Sequence, residues 1–187
     1  APDHAENHTT AAAQGVPLFF TLPDCAAAVA MDAVIISSPN AFHYEQARWC
    51  IERQIPVLIE KPVTPDVTEA RALVELVQQH KARALVGHHR TYSPLLASAQ
   101  AVIASGRLGR LVSVVGSAQF YKPAQYFRDG PWRTQPGGGP ILINLIHEIG
   151  NLRTLMGEIV SVQAMASSAV RMFAVEDTVV INFGFAN

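Results

Sequence analysis

Three short apolar runs alternate with segments of helical periodicity in the first half of the chain. The runs are DAVIIS at 32–37, VLIE at 57–60 and ALVGH at 84–88, with helices predicted between them at 42–53 and 65–80. Short apolar runs of this kind are typical of buried strands. Strand, helix and strand at this spacing predict right-handed parallel crossovers. Residues 16–90, with an edge strand at 16–20, are therefore predicted to form part of a doubly wound parallel sheet.

The pattern changes after His89, where the predicted strands become longer and alternate in polarity. Helices are predicted at 94–105 and 140–156, strands at 111–121, 159–169 and 177–185, and an irregular stretch at 122–139. The predicted fold class is α/β: a partial Rossmann-type doubly wound parallel sheet in residues 1–91, followed by an α+β domain with a large, mostly antiparallel sheet in residues 92–187. Helices at 3–14 and 23–30 are predicted before the first buried strand.

Composition and charge exclude several classes of function. The formal net charge of −1 gives no electrostatic reason to expect a nucleic-acid or membrane partner. The two cysteines are far apart in sequence and form no CxxC pair, which favours reduced thiols in a cytoplasmic protein. No apolar run approaches the roughly 20 residues that a membrane-spanning helix needs, and no signal peptide is visible.

The run at 57–59 ends abruptly in Glu60, Lys61 and Pro62. Ligands of parallel α/β sheets collect at the carboxyl ends of the strands. A lysine between a buried strand and a proline turn could therefore reach a reacting centre. The alternative is a solvated lysine beside a loop.

The helix predicted at 140–156 is apolar apart from a few polar residues. Asn144, His147 and Asn151 recur at i, i+3 and i+7, so they form one polar stripe. Burying amide and imidazole groups costs free energy unless they are hydrogen-bonded. The stripe therefore indicates either a structural network or a cleft into which a catalytic histidine projects.

The remaining indications of a ligand site are weak when each is taken alone. Gly137–Gly139 would allow close approach of a ligand, and the N-terminus of the following helix would favour an anion. Trp132 and Arg133 could stack on a planar ring and pair with a phosphate, and Asn40 could cap the helix at 42–53. The neighbouring His88 and His89 would point to opposite faces of a strand, so they could not bind one metal ion together. No metal site is expected.

Six sequence motifs, in their order along the chain, resemble the motifs of a known protein family. They are DAVIISSPNAFH at 32–43, VLIEKP at 57–62, VGHHRTYSP at 86–94, SGRLGRLVSV at 105–114, WR at 132–133 and GGGPILINLIHEIG at 137–150. Together they resemble the glucose–fructose oxidoreductase, inositol dehydrogenase and MocA (Gfo/Idh/MocA) family of nicotinamide-dependent oxidoreductases. The resemblance covers nearly the whole chain.

The resemblance implies roles for particular residues, with NAD or NADP as cofactor. His147 would be the acid/base at the substrate hydroxyl, Lys61 would hold or protonate the reacting oxygen, and Asn144 would position the hydroxyl. The residues expected to border the dinucleotide are Ser38, Pro39, Asn40, His43, Glu60, Lys61, Arg90, Trp132 and Arg133. The implied substrate is a sugar-like or polyol small molecule, and the implied assembly is a homodimer or homotetramer.

The chain departs from the family pattern in three respects. Ile143 and Gly150 stand where the family often has acids, which leaves the substrate open. The family's opening strand and G-x-G-x-x-G turn are not found in these residues, and its large sheet would continue past Asn187. In the family that turn binds the pyrophosphate, and an acid at the end of a second strand, which is also not found in these residues, selects NAD or NADP.

Two hypotheses follow from these departures. The first is an NAD(P)-dependent dehydrogenase acting on a secondary alcohol, represented here by a partial sequence that is inactive and binds neither cofactor detectably on its own. The second is a truncated non-enzymatic family member that acts as a binding or interaction module.

Overall fold

The computed structural model describes residues 4–186. Its helices are α1 (Ala5–Gln14), α2 (Leu22–Ala28), α3 (His43–Glu52), α4 (Val67–His80), α5 (Pro94–Ala104), α6 (Ala124–Arg128) and α7 (Ile146–Met156). Its strands are β1 (Val34–Ile36), β2 (Val57–Ile59), β3 (Ala84–Val86), β4 (Ile159–Ser167) and β5 (Thr178–Phe185). The predicted helix start at residue 3 lies outside the described residues, and α1 ends as predicted at Gly15, which has φ +63°.

The predicted parallel sheet is confirmed. Its order is β1–β2–β3, with Val34 opposite Val57 and Val57 opposite Ala84. Helices α3 and α4 connect these strands and pack against each other. The core between sheet and helices consists of Ile36, Ala47, Cys50, Ile51, Val57, Ile59 and Leu73. Burial raises the pKa of the Cys50 thiol to about 11, which keeps it protonated and unreactive.

Local details of the first half differ from the sequence prediction. The stretch at 16–20 forms no strand. Helix α4 begins after Asp66, whose carboxylate accepts hydrogen bonds from the backbone N–H groups of Thr68 and Glu69 at 2.7 and 3.0 Å. Asn40 does not cap α3, because it begins a separate 3₁₀ turn, Asn40–Phe42. The start of α4 is thus set by a local side-chain cap at Asp66, while the Asn40 amide donates to the carbonyl oxygen of Gly137.

The second sheet pairs β4 with β5 in antiparallel orientation, as predicted, with Val162 opposite Phe183. The third predicted strand, at 111–121, is wrong: these residues form no strand, and Val112 and Val115 are 87% and 95% exposed. Alternating polarity indicates a strand only if a neighbour supplies the ladder hydrogen bonds. Within residues 4–186 the second sheet therefore has two strands instead of the large sheet expected.

The stretch predicted to be irregular, 122–139, contains α6 and a 3₁₀ turn, Pro131–Thr134. The Phe127 ring lies 4.9 Å from the Phe173 ring, and the Arg171 guanidinium lies over Phe127 at 4.8 Å. Packing against the connection between β4 and β5 thus orders this loop. Among residues 4–186, no helix combines the length and the apolar character needed to cross a bilayer.

Truncation of Leu73 tests the packing of α4 on the sheet. Leu73 is 3% exposed, whereas its neighbour Val74 is 56% exposed. We expect Leu73→Ala to lower the free energy of unfolding by roughly 2–5 kcal/mol, the usual cost of emptying a buried leucine site. Urea unfolding with unchanged m-value is the measurement. Val74→Ala, the control on the same helix, should change it by about 0.5 kcal/mol or less, and equal losses would contradict this packing.

Candidate active site

The carboxyl ends of the three parallel strands define the edge at which the predicted catalytic residues lie. Glu60 and Lys61 follow β2 directly, and Gly87 follows β3. A Cβ atom added to Gly87 would lie 3.1 Å from a carboxylate oxygen of Glu60. Absence of a side chain at 87 therefore leaves room for the Glu60 carboxylate beside the neighbouring strand end.

Lys61 reaches from this edge to the helix that carries His147. Its Nζ donates a hydrogen bond of 2.7 Å to the carbonyl oxygen of Ile143. Ile143 belongs to a single π-helical turn, Ile141–Leu145, which precedes α7. Burial lowers the pKa of Lys61, and the positive charges of Arg90 and Lys122 add to the effect while Glu60 opposes it. An ammonium group is thus held one turn before His147.

His147 is 7% exposed, and its ring meets the ring of His89 edge-on at 4.8 Å between centroids. Nδ1 is buried and has no hydrogen-bond partner among the described residues. Burial, followed by the positive charges of Lys61 and Arg90, lowers the pKa of His147 to about 4. The imidazole is therefore neutral near pH 7 and can accept a proton.

An ion pair joins α7 to the turn after β3. Arg90, in the 3₁₀ turn His89–Tyr92, donates to Oε1 of Glu148. Oε2 of the same carboxylate accepts a hydrogen bond of 3.2 Å from the Asn151 amide. Glu148, the residue after His147, is thus tied to the turn after β3, and Asn151 is tied to Glu148.

The turn after β1 is held by buried hydrogen bonds. The Asn40 amide donates to the carbonyl oxygen of Gly137 at 2.9 Å. The two ring nitrogens of His43, which is 1% exposed, lie 2.8 Å from the carbonyl oxygens of Pro62 and Ser38. Both side chains therefore contribute to the framework of the edge.

The backbone of the glycines at 137–139 lies close to other residues of this chain. A Cβ atom on Gly138 would lie 2.2 Å from the carbonyl oxygen of Trp132, so no side chain fits there. Oε1 of Glu176 accepts a hydrogen bond of 2.8 Å from the backbone N–H of Ile141. The anion expected at this helix start is thus a carboxylate from the connection between β4 and β5.

The contacts of Trp132 and Arg133 are with residues of the same loop. The Arg133 guanidinium stacks over the Tyr126 ring at 4.2 Å and donates to the Tyr126 carbonyl oxygen at 2.9 Å. Their predicted contact with a cofactor stays a prediction.

Two contributors were missed in the sequence. His89 was assigned to a strand, but β3 ends at Val86 and the following turn brings the His89 ring to His147. The position of three basic residues immediately after a buried strand is the signal that could have identified it. Glu176 carried no sequence signal, because its partner is a backbone group 35 residues away. Within the described part of the chain, no group of three or more His, Cys, Asp or Glu side chains could hold a metal ion.

Two family models match this chain. The model described as "Oxidoreductase family, NAD-binding Rossmann fold" matches residues 1–88. The model described as "GFO/IDH/MocA C-terminal domain" matches residues 96–187. Both belong to the family that the six motifs resemble.

The curated proteins that match this chain agree with the two family models. Inositol 2-dehydrogenase of Corynebacterium glutamicum (strain R) is 35% identical over 105 residues, which are 56% of this chain and 31% of that protein. The rhizopine catabolism protein MocA of Rhizobium meliloti is 28% identical over 156 residues, 82% of this chain and 47% of that protein. The chain thus spans about a third to a half of the length of these relatives.

Solved structures share the fold. The WlbA dehydrogenase from Bordetella pertussis, in complex with NADH and UDP-GlcNAcA, superposes with a TM-score of 0.89 at 25% identity, over 96% of this chain and 54% of that chain. An NAD-binding protein from Listeria innocua gives a TM-score of 0.80 at 25% identity, over 98% of this chain and 54% of that chain. With its two halves matched by the family's two models, the chain belongs to the Gfo/Idh/MocA family of oxidoreductases.

Proposed function

We propose that the protein is an NAD(P)-dependent oxidoreductase that transfers a hydride between a nicotinamide cofactor and a secondary alcohol or ketone of a sugar, inositol or related polyol. The observation that carries the proposal is the pairing of a neutral, buried imidazole with a held ammonium group. His147 lies one turn after Ile143, whose carbonyl oxygen binds Lys61. A proton acceptor beside a cation is what alcohol oxidation by hydride loss requires.

The residues present fit the nicotinamide end of a dinucleotide. The half-buried Lys61 lies at the edge of the sheet where parallel sheets bind ligands, and its hydrogen bond to Ile143 holds the helix of His147 next to that edge. Ser38, Pro39, Glu60 and Arg90 lie on the turns after β1, β2 and β3 and would border the cofactor. A bound nicotinamide would accept or return the hydride. The turns that hold Asn40 and His43 would keep this border rigid.

The chain's own residues would handle the proton and the developing charge. His147 takes the proton of the substrate hydroxyl, and Lys61 stabilises the negative charge that develops on the oxygen. Asn144, on the same helix, positions the hydroxyl by hydrogen bonding but cannot take its proton.

The substrate class is supported by the names of the relatives. Those named above include an inositol 2-dehydrogenase, and the WlbA dehydrogenase structure contains UDP-GlcNAcA. Both compounds carry secondary hydroxyl groups on a six-membered ring. A ring polyol or sugar is therefore the substrate that we propose.

Removal of the acid–base pair tests the mechanism. We expect His147→Ala and Lys61→Ala each to lower kcat by roughly 10²–10⁴-fold, the range typical of a lost acid–base group. Asn144→Ala should act mainly on KM. Steady-state kinetics with inositol or a sugar are measured in a chain of the relatives' length that contains these residues.

The matched control is Arg71→Ala, which removes a cation from the exposed face of α4. It should leave kcat and KM unchanged. The affinity for the cofactor should also survive His147→Ala, because that side chain serves the substrate. Near-normal kcat in a folded, cofactor-saturated His147→Ala protein would return His147 to a structural role.

The pH profile tests the charge state of His147. Because its pKa is lowered to about 4, the base stays deprotonated and kcat/KM should be flat between about pH 5.5 and 7.5. At alkaline pH, kcat/KM should fall as Lys61 loses its proton, and this fall should begin below the usual range of lysine since its pKa is lowered. A decline centred at the ordinary histidine pKa of 6.5 would contradict this account.

We propose that the protein assembles as a homodimer or homotetramer through the second sheet. Paired positions on one face of that sheet are apolar: Val162 opposite Phe183, Ala164 opposite Ile181, and Ala166 opposite Val179. Val162 is 59% exposed, and apolar faces of this kind suit a self-complementary interface.

Light scattering at tens of micromolar protein tests this assembly. The wild-type chain should have at least twice the monomer mass, and Val162→Glu should reduce it because a charge cannot be buried unpaired. Thr178→Glu, at an exposed position on the opposite face, is the control and should not dissociate the protein. A wild-type protein that stays monomeric would contradict the proposal.

A further inference from the structure

We propose that Asn151 is the positioning residue of His147: its side-chain oxygen accepts the Nδ1–H of the imidazole and so leaves Nε2 as the free base. This inference rests on the proposed function, which makes His147 the proton acceptor. It assigns to a residue outside the proposed catalytic group the task of fixing which ring nitrogen can react.

Two buried polar atoms without partners carry the inference. Nδ1 of His147 and Oδ1 of Asn151 are both inaccessible to solvent, and neither has a hydrogen-bond partner among residues 4–186. The two residues are four positions apart on α7, so their side chains lie on the same face of the helix. The structure shows no bond between them, and a change of side-chain rotamer that brings the two atoms together satisfies both if the nitrogen carries the proton.

The orientation of the Asn151 amide is fixed by its other neighbour. Its Nδ2 donates to Oε2 of Glu148 at 3.2 Å, and a carboxylate can only accept. The nitrogen end of the amide is therefore committed to Glu148, and the oxygen end is left as an acceptor. Glu148 is held in turn by Arg90 across the gap between α7 and the turn after β3.

The tautomer follows from these contacts. A neutral imidazole has one N–H and one lone pair. If Nδ1 carries the proton and donates it toward Asn151, the lone pair is on Nε2. Histidine bases generally have their tautomer set by the hydrogen bond that the other ring nitrogen makes. In His147 the proposed donor–acceptor pair is Nδ1 with Oδ1 of Asn151, the two buried atoms without other partners among residues 4–186.

The tautomer can be measured without cofactor or turnover. The ¹⁵N chemical shifts of the ring nitrogens are recorded at pH 7 on the full chain labelled at histidine. The protein contains seven histidines, so the His147 signals are assigned from their loss in His147→Gln. We expect the Nδ1–H form in the wild type and the Nε2–H form, which free imidazole favours, in Asn151→Leu. An Nε2–H form in the wild type, or no change in Asn151→Leu, would overturn the inference.

A second variant keeps the test decisive if Asn151→Leu is poorly folded. Asn151→Asp retains an acceptor, so it should retain the Nδ1–H form and raise the pKa of His147 through its negative charge. The other charged or titratable groups that act on the ring are Lys61, His88, His89 and Arg90, and Glu148 is the next residue of the helix, where it binds Arg90. Loss of the Nδ1–H form in Asn151→Asp would also overturn the inference. Asn182→Leu, at an exposed position of β5, is the control and should change neither the tautomer nor the pKa.

Kinetics separate this inference from the proposed function. In a chain of the relatives' length, Asn151→Leu should lower kcat by about 10–100-fold, part of the effect of losing the base itself, with the KM for cofactor unchanged. An unchanged kcat in Asn151→Leu would overturn the positioning role. Failure of the wild-type protein to oxidise any polyol would contradict the proposed function, and the tautomer measurement would then decide the positioning role alone.

Discussion

The candidate site depends on the attachment of one helix start to the edge of the parallel sheet. Two hydrogen bonds make this attachment, from Lys61 to the carbonyl oxygen of Ile143 and from Asn40 to that of Gly137. Both donors are side chains on turns at strand ends, and both acceptors are backbone oxygens near the start of α7. Since the backbone of the helix is rigid, these bonds also fix the distance from His147 to the strand ends.

The charged groups of the site are placed so that they keep His147 unprotonated while each cation has its own acceptor. Lys61, Arg90 and the neighbouring histidines all disfavour a proton on His147, and burial acts in the same direction. The cations are themselves stabilised by separate acceptors, Lys61 by a backbone oxygen and Arg90 by Glu148. As a result the imidazole is neutral near pH 7 although an ammonium group is held one turn before it. Glu176 completes the helix start with a negative charge where the helix dipole favours one.

The sequence predicted much of the fold because its signals were local. Apolar runs of three or more residues identified β1, β2 and β3, and the spacing between them determined parallel order. The stretch at 111–121 shows the limit of such signals, because its alternation is that of a strand and no partner strand pairs with it. The family followed from six motifs in order and was confirmed by both family models.

By itself, the sequence determined the family, the parallel and antiparallel sheets, and the identity of His147 and Lys61 as candidates, since these depend on periodicity, order and residue type. Only the tertiary structure decided which polar groups meet. It brought His89 against His147 and placed Glu176 at the helix start. It also left Nδ1 of His147 and Oδ1 of Asn151 buried with no hydrogen-bond partner within residues 4–186. Contacts between residues far apart in sequence are set by how helices and sheet pack, and no local pattern encodes them.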